Sequence, residues 1–180
     1  MDRVSPELLT ELHAAGCSGI HFGIESGDPE VLRQIGKGIT LEQSQQAVEA
    51  ALRAGIPEVF CSFIIGHPFD TPETVRRTIK FARKLQTMAM GSAGARVVCR
   101  MSTLVPFPGT PVFERAKELG VNVLLKDWTQ YVVDDIILET RHLSAAALRE
   151  LFFEYQTTLE VPLELGHTGH GGQLESRVVL

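Results

Sequence analysis

The sequence predicts an α/β fold built from parallel βα units that form part of a barrel. Three observations carry that prediction. Helix starts alternate with short apolar runs along the whole chain. Those runs are rich in branched and aromatic residues and lack a clean polar alternation, which suits strands of a parallel sheet covered on both faces. There is also an internal echo: "AAGCSGIHFGIESGDPEV" and "RAGIPEVFCSFIIGHPFDTPETV" share one plan, with Gly16 and Gly55 lying 39 positions apart. In each, a helix ends in Ala-Gly, a strand follows, then a glycine-containing turn and a Pro-Glu helix start. Such repetition fits a barrel segment better than a helical solenoid.

Each element has a local signal. Four helix starts pair an oxygen-bearing cap with proline at the first helical position: Ser5-Pro6, Asp28-Pro29, Thr71-Pro72 and Thr110-Pro111. The cap oxygen accepts from free N–H groups, and proline sits where its missing N–H costs nothing. Thr40 with Gln43 forms a capping box for a further helix. Glycines at 16, 36, 55 and 120 supply the stops. Helices are therefore expected near 6–15, 29–35, 41–54, 72–87, 111–119 and 145–160. Leu8, Leu9 and Leu12 line one face of the first, and Val75, Ile79, Ala82 and Leu85 line the fourth. The strands are "GIHFGI" (19–24), "EVFCSFII" (58–65) and "ARVVCRMSTLV" (95–105). From Pro162 onward, "PLELGHTGHGGQLESRVVL" loses periodicity and gains glycine, which reads as a mobile terminus.

Composition narrows the function classes. The 180 residues are 44% hydrophobic and 22% charged, with a formal net charge of -5. That suits a soluble globular domain with no broad affinity for nucleic acid. No apolar run reaches membrane-spanning length, and "MDRVSPELL" shows no export signal, so a cytoplasmic setting is expected. Cys17, Cys61 and Cys99 are separated by 44 and 38 positions, which matches neither a zinc site nor an iron–sulfur run. They read as reduced, buried thiols. His167 and His170 lack supporting acids and make a poor metal pair. Arg76, Arg77, Lys80, Arg83 and Lys84 read as a solvated helix face, while Trp128 and Tyr131 are expected to pack the C-terminal extension onto the sheet.

Parallel α/β folds bind ligands at the carboxyl ends of their strands. Here those ends read "GIESG", "IIGHPFDT" and "TLVPFPGT". Brought together they would form an apolar, glycine-lined cup ringed by Glu25, Ser26, His67, Asp70 and Thr103. Glu25 and Ser26 are suited to hydrogen-bond a ligand's hydroxyl or ammonium groups. Equally, Glu25 could cap a helix or pair with a loop lysine such as Lys37. His67 is either an acid–base group or a loop histidine packed on Pro68. Asp70 fits a structural part at the helix start that follows it.

These residues carry a resemblance. "GIHFGIESGDPEVLRQIGKGIT", "AGIPEVFCSFIIGHPFDTPETVRRTIKFA" and "STLVPFPGTPVFERAKELG" resemble the second half of a radical S-adenosylmethionine (SAM) domain, of the oxidoreductase-like branch often joined to a cobalamin-binding domain. The likeness runs from about Val4 to Tyr155, and "DWTQY" and "HLSAAALRELFFEYQ" resemble the usual downstream extension. It implies that this chain supplies strands four to six of an incomplete, partial TIM-like barrel over residues 1–125, a helical extension over 126–161, and a mobile tail over 162–180. By the same resemblance, Glu25 and Ser26 match positions that contact the ribose or methionine part of SAM. Ile64, Ile65 and Gly66 match the segment beside adenine. Leu104, Val105, Pro106 and Phe107 match the strand end that offers backbone and apolar contact to the same ring.

The family's C-x-x-x-C-x-x-C loop is not in this sequence, and the glycine and glutamate usual after the fifth-strand proline are Phe69 and Asp70 here. The implied function is therefore half of a SAM-binding barrel, not catalytically competent alone. SAM, a 4Fe-4S cluster and in some cases cobalamin would belong to the parent enzyme, with none held stably by this chain. Two alternatives stand beside it: a self-contained α/β enzyme using Glu25, His67 or Asp70 as acid–base groups, and a noncatalytic assembly module. If missing strands normally cover residues 19–24, that strand is an open edge whose only polar side chain is His21. Association with the missing half, or with a second copy, is then expected through that edge. The substrate is not legible.

Overall fold

The computed structural model describes residues 4–90, 94–125, 127, 129, 131, 135–159 and, as backbone, 177–179. The expected capped starts are all present. Helix α1 spans Pro6–Ala14, α2 Pro29–Gln34, α3 Leu41–Arg53, α4 Pro72–Thr87 and α7 Ala145–Thr158. Ser5, Asp28, Thr40, Thr71 and Ser144 each accept a backbone N–H from the first turn of their helix. The helix expected at 111–119 is two short ones, α5 (Pro111–Glu114) and α6 (Ala116–Leu119). The break falls at Arg115, whose φ of -109° and ψ of 19° leave the helical region.

Strands β1 (Gly19–Glu25), β2 (Glu58–Ile65) and β3 (Arg96–Thr103) pair in parallel, so their carboxyl ends share one edge of the sheet. A small antiparallel pair, β4 (Val121–Val123) with β5 (Leu138–Thr140), was not foreseen. Its strands are three residues each, below the length at which a pattern can be read.

The expectation that both sheet faces are covered needs correction. Burial alternates along every strand. Ile20, Phe22 and Ile24, then Val59, Cys61, Phe63 and Ile65, then Val97, Cys99 and Met101 are buried against the helices. Val48, Val75, Ile79, Ala82, Leu85, Leu148 and Leu151 complete that core. The alternate positions His21, Gly23, Phe60, Ser62, Ile64, Val98, Arg100 and Ser102 lie on the opposite face and stay partly or fully exposed. Apolar members such as Phe60, Ile64 and Val98 hid the alternation in the sequence.

Two devices manage the sheet's edges. At β3, the Tyr155 hydroxyl from α7 accepts from Met101 N (3.1 Å) and donates to the Cys99 carbonyl (3.1 Å), meeting peptide groups that no strand pairs. At β1, the expected open edge is partly closed. Residues Arg177–Val179 form β6, which pairs in parallel with Gly19–His21, giving the order β3-β2-β1-β6. The last residues of the expected mobile tail are therefore a strand. The branched Val178 and Val179 suit it, and the edge's peptide groups need partners. The pairing stops at His21, before Phe22–Glu25. The tail from 162 to 176, His167, His170 and Trp128 lie outside the described residues.

Tyr155→Phe keeps the ring and removes both bonds to β3. Leaving a buried N–H and C=O unmet costs about 1–3 kcal/mol. Urea unfolding is expected to show that loss, with faster hydrogen exchange at the Met101 amide; an unchanged midpoint would mean that water takes over both groups.

Candidate functional site

The site begins with a turn. Register along β1 slips between Gly23 and Glu25, so Ile24 is an extra residue in a bulge. Glu25 follows with a φ of 72°, the one non-glycine positive φ among the described residues. Ser26 N donates to the Ile24 carbonyl at 3.0 Å, closing a three-residue γ-turn centred on Glu25. The bulge and the turn re-aim the glutamate. Its carboxylate folds back over Gly23, where a Cβ would lie 2.6 Å from Oε1. Lys37, from the loop after α2, donates to that same oxygen at 2.9 Å. A Cβ on Gly23 would also stand 3.3 Å from the lysine Nζ. Glycine at 23 is thus what leaves room for the pair.

Thr78 on α4 holds the turn. The Thr78 hydroxyl donates to the Thr74 carbonyl (3.1 Å) and accepts from Gly27 N (2.9 Å). With its one hydrogen so used, it accepts from the Ser26 hydroxyl at 3.2 Å, and Ser26 in turn accepts from Asp28 N at 3.1 Å. Gly27 is needed for this approach, because a Cβ there would sit 2.6 Å from Thr78 Cα. Arg77 adds a bond to the buried Asp28 carboxylate at 2.6 Å, and Arg76 bonds Glu154 of α7 at 3.0 Å. Part of the basic stretch of α4 is therefore joined to neighbouring elements rather than merely solvated.

The remaining expected site residues separate into two groups. Glu25, Ile64 and Gly66 reach the shared carboxyl edge with Leu104, Val105, Pro106 and Phe107, and the ladder continues there through Leu104 N to the Ile65 carbonyl (2.8 Å). Phe107 is half exposed and packs at 6.3 Å from the Tyr131 ring, as expected for a residue tying down the extension. Ser26 and Ile65 are different. Ser26 is 1% exposed with its hydroxyl engaged by Thr78 and Asp28, and the Ile65 side chain belongs to the core against the helices. In this structure the bulge turns Glu25 outward and leaves Ser26 facing α4, so the Ser26 hydroxyl and the Ile65 side chain lie on the helix side of the sheet. Thr103 is likewise committed, donating to the Asp135 carbonyl at 2.7 Å. Lys37 is the site residue the sequence named only as an alternative partner; its signal was a cation twelve positions after a strand-end acid.

Asp70 is structural. Its carboxylate accepts from Gly66 N and His67 N, both at 3.0 Å, and from the Thr74 hydroxyl at 2.9 Å. Burial nevertheless raises its pKa to about 6. Burial lowers that of His67 to about 4, and its Nε2 meets no hydrogen-bond partner among the described residues. Glu25, His67 and Asp70 share no side-chain-to-side-chain hydrogen bond, so no acid–base dyad is assembled among them.

The three cysteines are free, buried and apart from this edge. Cys17 donates to the Gly19 carbonyl, and Cys99 to the Ala82 carbonyl beneath α4. Cys61 is the register partner of Cys99, and the hydrogen bond with that thiol, together with burial, pushes its pKa up. No group of three potential metal ligands occurs among the described residues. No helix among them is long and apolar enough to cross a membrane.

Comparison with known proteins agrees with this arrangement. The family model described as the Radical SAM superfamily matches residues 1–82. An uncharacterised methyltransferase of Pyrococcus horikoshii is 37% identical over 76% of this chain, which spans 27% of that protein. The bacteriochlorophyllide d C-12(1)-methyltransferase of Chlorobaculum tepidum is 28% identical over 84% of this chain and 30% of its own length. Among solved structures, coproporphyrinogen III oxidase (HemN) of Escherichia coli superposes with a TM-score of 0.57 at 18% identity, over 87% of this chain and 30% of that one. The radical SAM methyltransferase TsrM of Kitasatospora setae, solved with cobalamin and a [4Fe-4S] cluster, gives 0.51 at 23%, over 83% and 28%. The chain thus spans about three-tenths of the length of these relatives.

Two measurements probe the site's supports. Thr78→Val keeps the shape but strands Gly27 N and the Ser26 hydroxyl, so a loss of about 1–3 kcal/mol is expected in denaturant unfolding. Loss of the Glu25 turn should accompany it, seen as exchange broadening of the Glu25 and Ser26 amides; sharp, unmoved signals would show that the turn stands without Thr78. The second is pH dependence. The native His67 pKa lies below its ordinary 6.5, so the unfolded chain takes up the proton first and stability falls as pH drops from about 6.5 to 4. Asp70 lies above its ordinary 3.8, so its contribution is lost as pH rises from about 4 to 6. Each displacement is worth about 3 kcal/mol over its full window. The slopes oppose, and the pair is expected to leave little net slope there. Asp70→Asn should expose the histidine slope, and His67→Gln the aspartate slope; identical profiles for all three proteins would refute the assignment.

Residues 1–82 of this chain belong to the radical SAM superfamily, and its parallel sheet with a shared carboxyl edge has the fold of radical SAM enzymes.

Proposed function

We propose that the open face of the sheet is the inner wall of a partial barrel, and that its carboxyl edge is half of a SAM pocket in a methyl- or methylthio-transferring enzyme. The observation that carries this is the Glu25 turn. A glutamate is held at positive φ at the end of a parallel strand, with its carboxylate and the Lys37 ammonium placed together over a glycine. The pair offers one acceptor and one cation, which suits the ammonium and carboxylate of the methionine part or a ribose hydroxyl. Ile64, on the open face one strand away, offers apolar surface to a ring, and the backbone from Leu104 to Phe107 borders the same edge. Bound SAM supplies an activated methyl group on a sulfonium. Glu25 and Lys37 would orient its polar end, and Thr78, Ser26 and Gly27 keep Glu25 in position.

A 4Fe-4S cluster does not fit these residues. Only Cys61 and Cys99 lie side by side, buried in the core under α4, and Cys17 is buried elsewhere, so no three thiols converge. We place its ligands outside the described residues and assign the isolated chain no reductive chemistry. Methyl transfer rather than oxidation is favoured by the names of the relatives, two of which are methyltransferases. Cobalamin, which TsrM binds, is proposed only for the protein that carries this chain. The unpaired part of β1, Phe22–Glu25, is where the rest of the barrel would attach. A self-contained acid–base enzyme is disfavoured, because Glu25 is paired with Lys37 and Asp70 is held by backbone amides.

Titration of the 180-residue chain with SAM, followed by amide NMR, tests the proposal. Saturable shifts are expected at Glu25, Lys37, Ile64 and Gly66. Glu25→Ala removes a bond to a charged group and should weaken the response by about tenfold. Shifts confined to other parts of the chain, or none at all, would sink it.

A further inference from the structure

The open face carries a charge that the proposed SAM site does not use. Strand register sorts this face into layers. Arg96 lies beside Glu58; above them come Val98, Phe60 and His21; then Arg100, Ser62 and Gly23; then Ser102 and Ile64 at the carboxyl edge, where the register slip sets Glu25 opposite Phe63 instead of Ile64. Four ionised side chains stand on it, and Lys37 is brought in from a loop. Glu58 is paired with Arg96, and Glu25 with Lys37. Arg100 has no hydrogen-bond or ion-pair partner among the described residues. Two carboxylates face three cations, so the excess charge is positive and belongs to Arg100. Its lateral neighbours are a serine and a glycine, the smallest side chains on this face. The space over Gly23 is taken by the Glu25 carboxylate and the Lys37 ammonium, so that ion pair stands one strand beyond Ser62 in the same layer as Arg100. Arg100 sits two residues, about 7 Å, below the carboxyl edge.

We propose that Arg100 binds an anionic group, carboxylate or phosphate, on the molecule that the enzyme modifies, and so orients that molecule beside the SAM site. The proposal rests on reading the open face as an inner wall. When such a wall is closed over, an arginine on it loses water. An unpaired charge in that position is penalised by the lost hydration, and an anion offsets the penalty. The flat, forked guanidinium fits a carboxylate or phosphate with two parallel bonds. The same chemistry has two sources, because SAM carries a carboxylate of its own. Lys37 with Glu25 already forms a cation–anion pair for that zwitterion, over Gly23 and across Ser62 from Arg100. The cation left over is assigned to the second molecule.

The test follows the arginine Nε–H signals of the whole chain by NMR, at an ionic strength held constant with chloride. Inorganic phosphate is added first, then SAM in a separate titration. The Arg100 signal is expected to shift saturably with phosphate while the paired Arg96 moves several-fold less, and Arg100→Gln should abolish the saturable response. In that variant SAM should still shift Glu25 and Ile64, with affinity changed by less than about twofold. Arg100 and Arg96 moving in parallel would reduce the effect to screening and overturn the proposal. So would SAM itself shifting Arg100 and losing about tenfold in affinity in the variant, which assigns the guanidinium to SAM. If SAM moves nothing while phosphate saturates Arg100, the SAM pocket fails and the anion site stands.

Discussion

The hydroxyl of Thr78 is the contact on which the mouth of this sheet depends. One oxygen in the middle of α4 serves the Thr74 carbonyl, the Gly27 amide and the Ser26 hydroxyl. Those three bonds fix the chain where β1 turns into α2. The turn then decides which residue faces the ligand side. Ser26 is drawn into the helix layer, and Glu25 is thrown outward onto Gly23 and Lys37. Arg77, one residue before Thr78, ties down the Asp28 cap and so fixes the start of α2 as well. A single stretch of α4 thus sets a strand end, a helix start and the direction of a carboxylate.

The helices cover one face of the sheet and leave the other to chemistry. The covered face is continuous apolar packing from three strands against α3, α4 and α7. The open face mixes glycine, serine, paired ions and a few apolar groups, which is a poor core and a good ligand wall. Rigidity comes from the first face. Tyr155 extends it to the β3 edge, where a hydroxyl replaces a neighbouring strand. The β1 edge differs, since β6 covers Gly19–His21 and the segment nearest the mouth has no strand on its outer side among the described residues.

Local signals made most of the fold legible. Caps such as Ser5, Asp28 and Thr71 announce helices without reference to anything distant, and the three long strands fall within two residues of the apolar runs. What was not legible depends on long-range contacts. The bulge and positive φ at Glu25 rest on a hydroxyl 52 positions beyond Ser26. Without it, Glu25 and Ser26 read as two equal polar groups at one strand end. The one-sided burial was hidden because Phe60, Ile64 and Val98 on the open face look like core residues in sequence. Tyr155 reads as an ordinary apolar-face aromatic, though its hydroxyl serves β3 backbone 54 and 56 positions away. The Glu25–Lys37 pair was foreseen as a possibility, because a strand-end acid needs a partner and the loop supplied a cation.

Magnitudes bear on why a glutamate stands at position 25. A left-handed backbone costs a residue with a Cβ about 1–2 kcal/mol, a cost glycine escapes. The ion pair with Lys37 is partly solvated, with side-chain exposures of 20% and 31%, so it returns about 0–1 kcal/mol. The carboxylate makes no other side-chain bond among the described residues that would close the gap. On stability alone glycine would serve position 25 better. Gly23 points the same way, because a side chain there would displace both members of the pair. Positions 23 and 25 of one strand thus both serve to hold a carboxylate and an ammonium at the same point of the mouth. Strain of this kind is expected where a ligand, rather than the fold, needs the geometry.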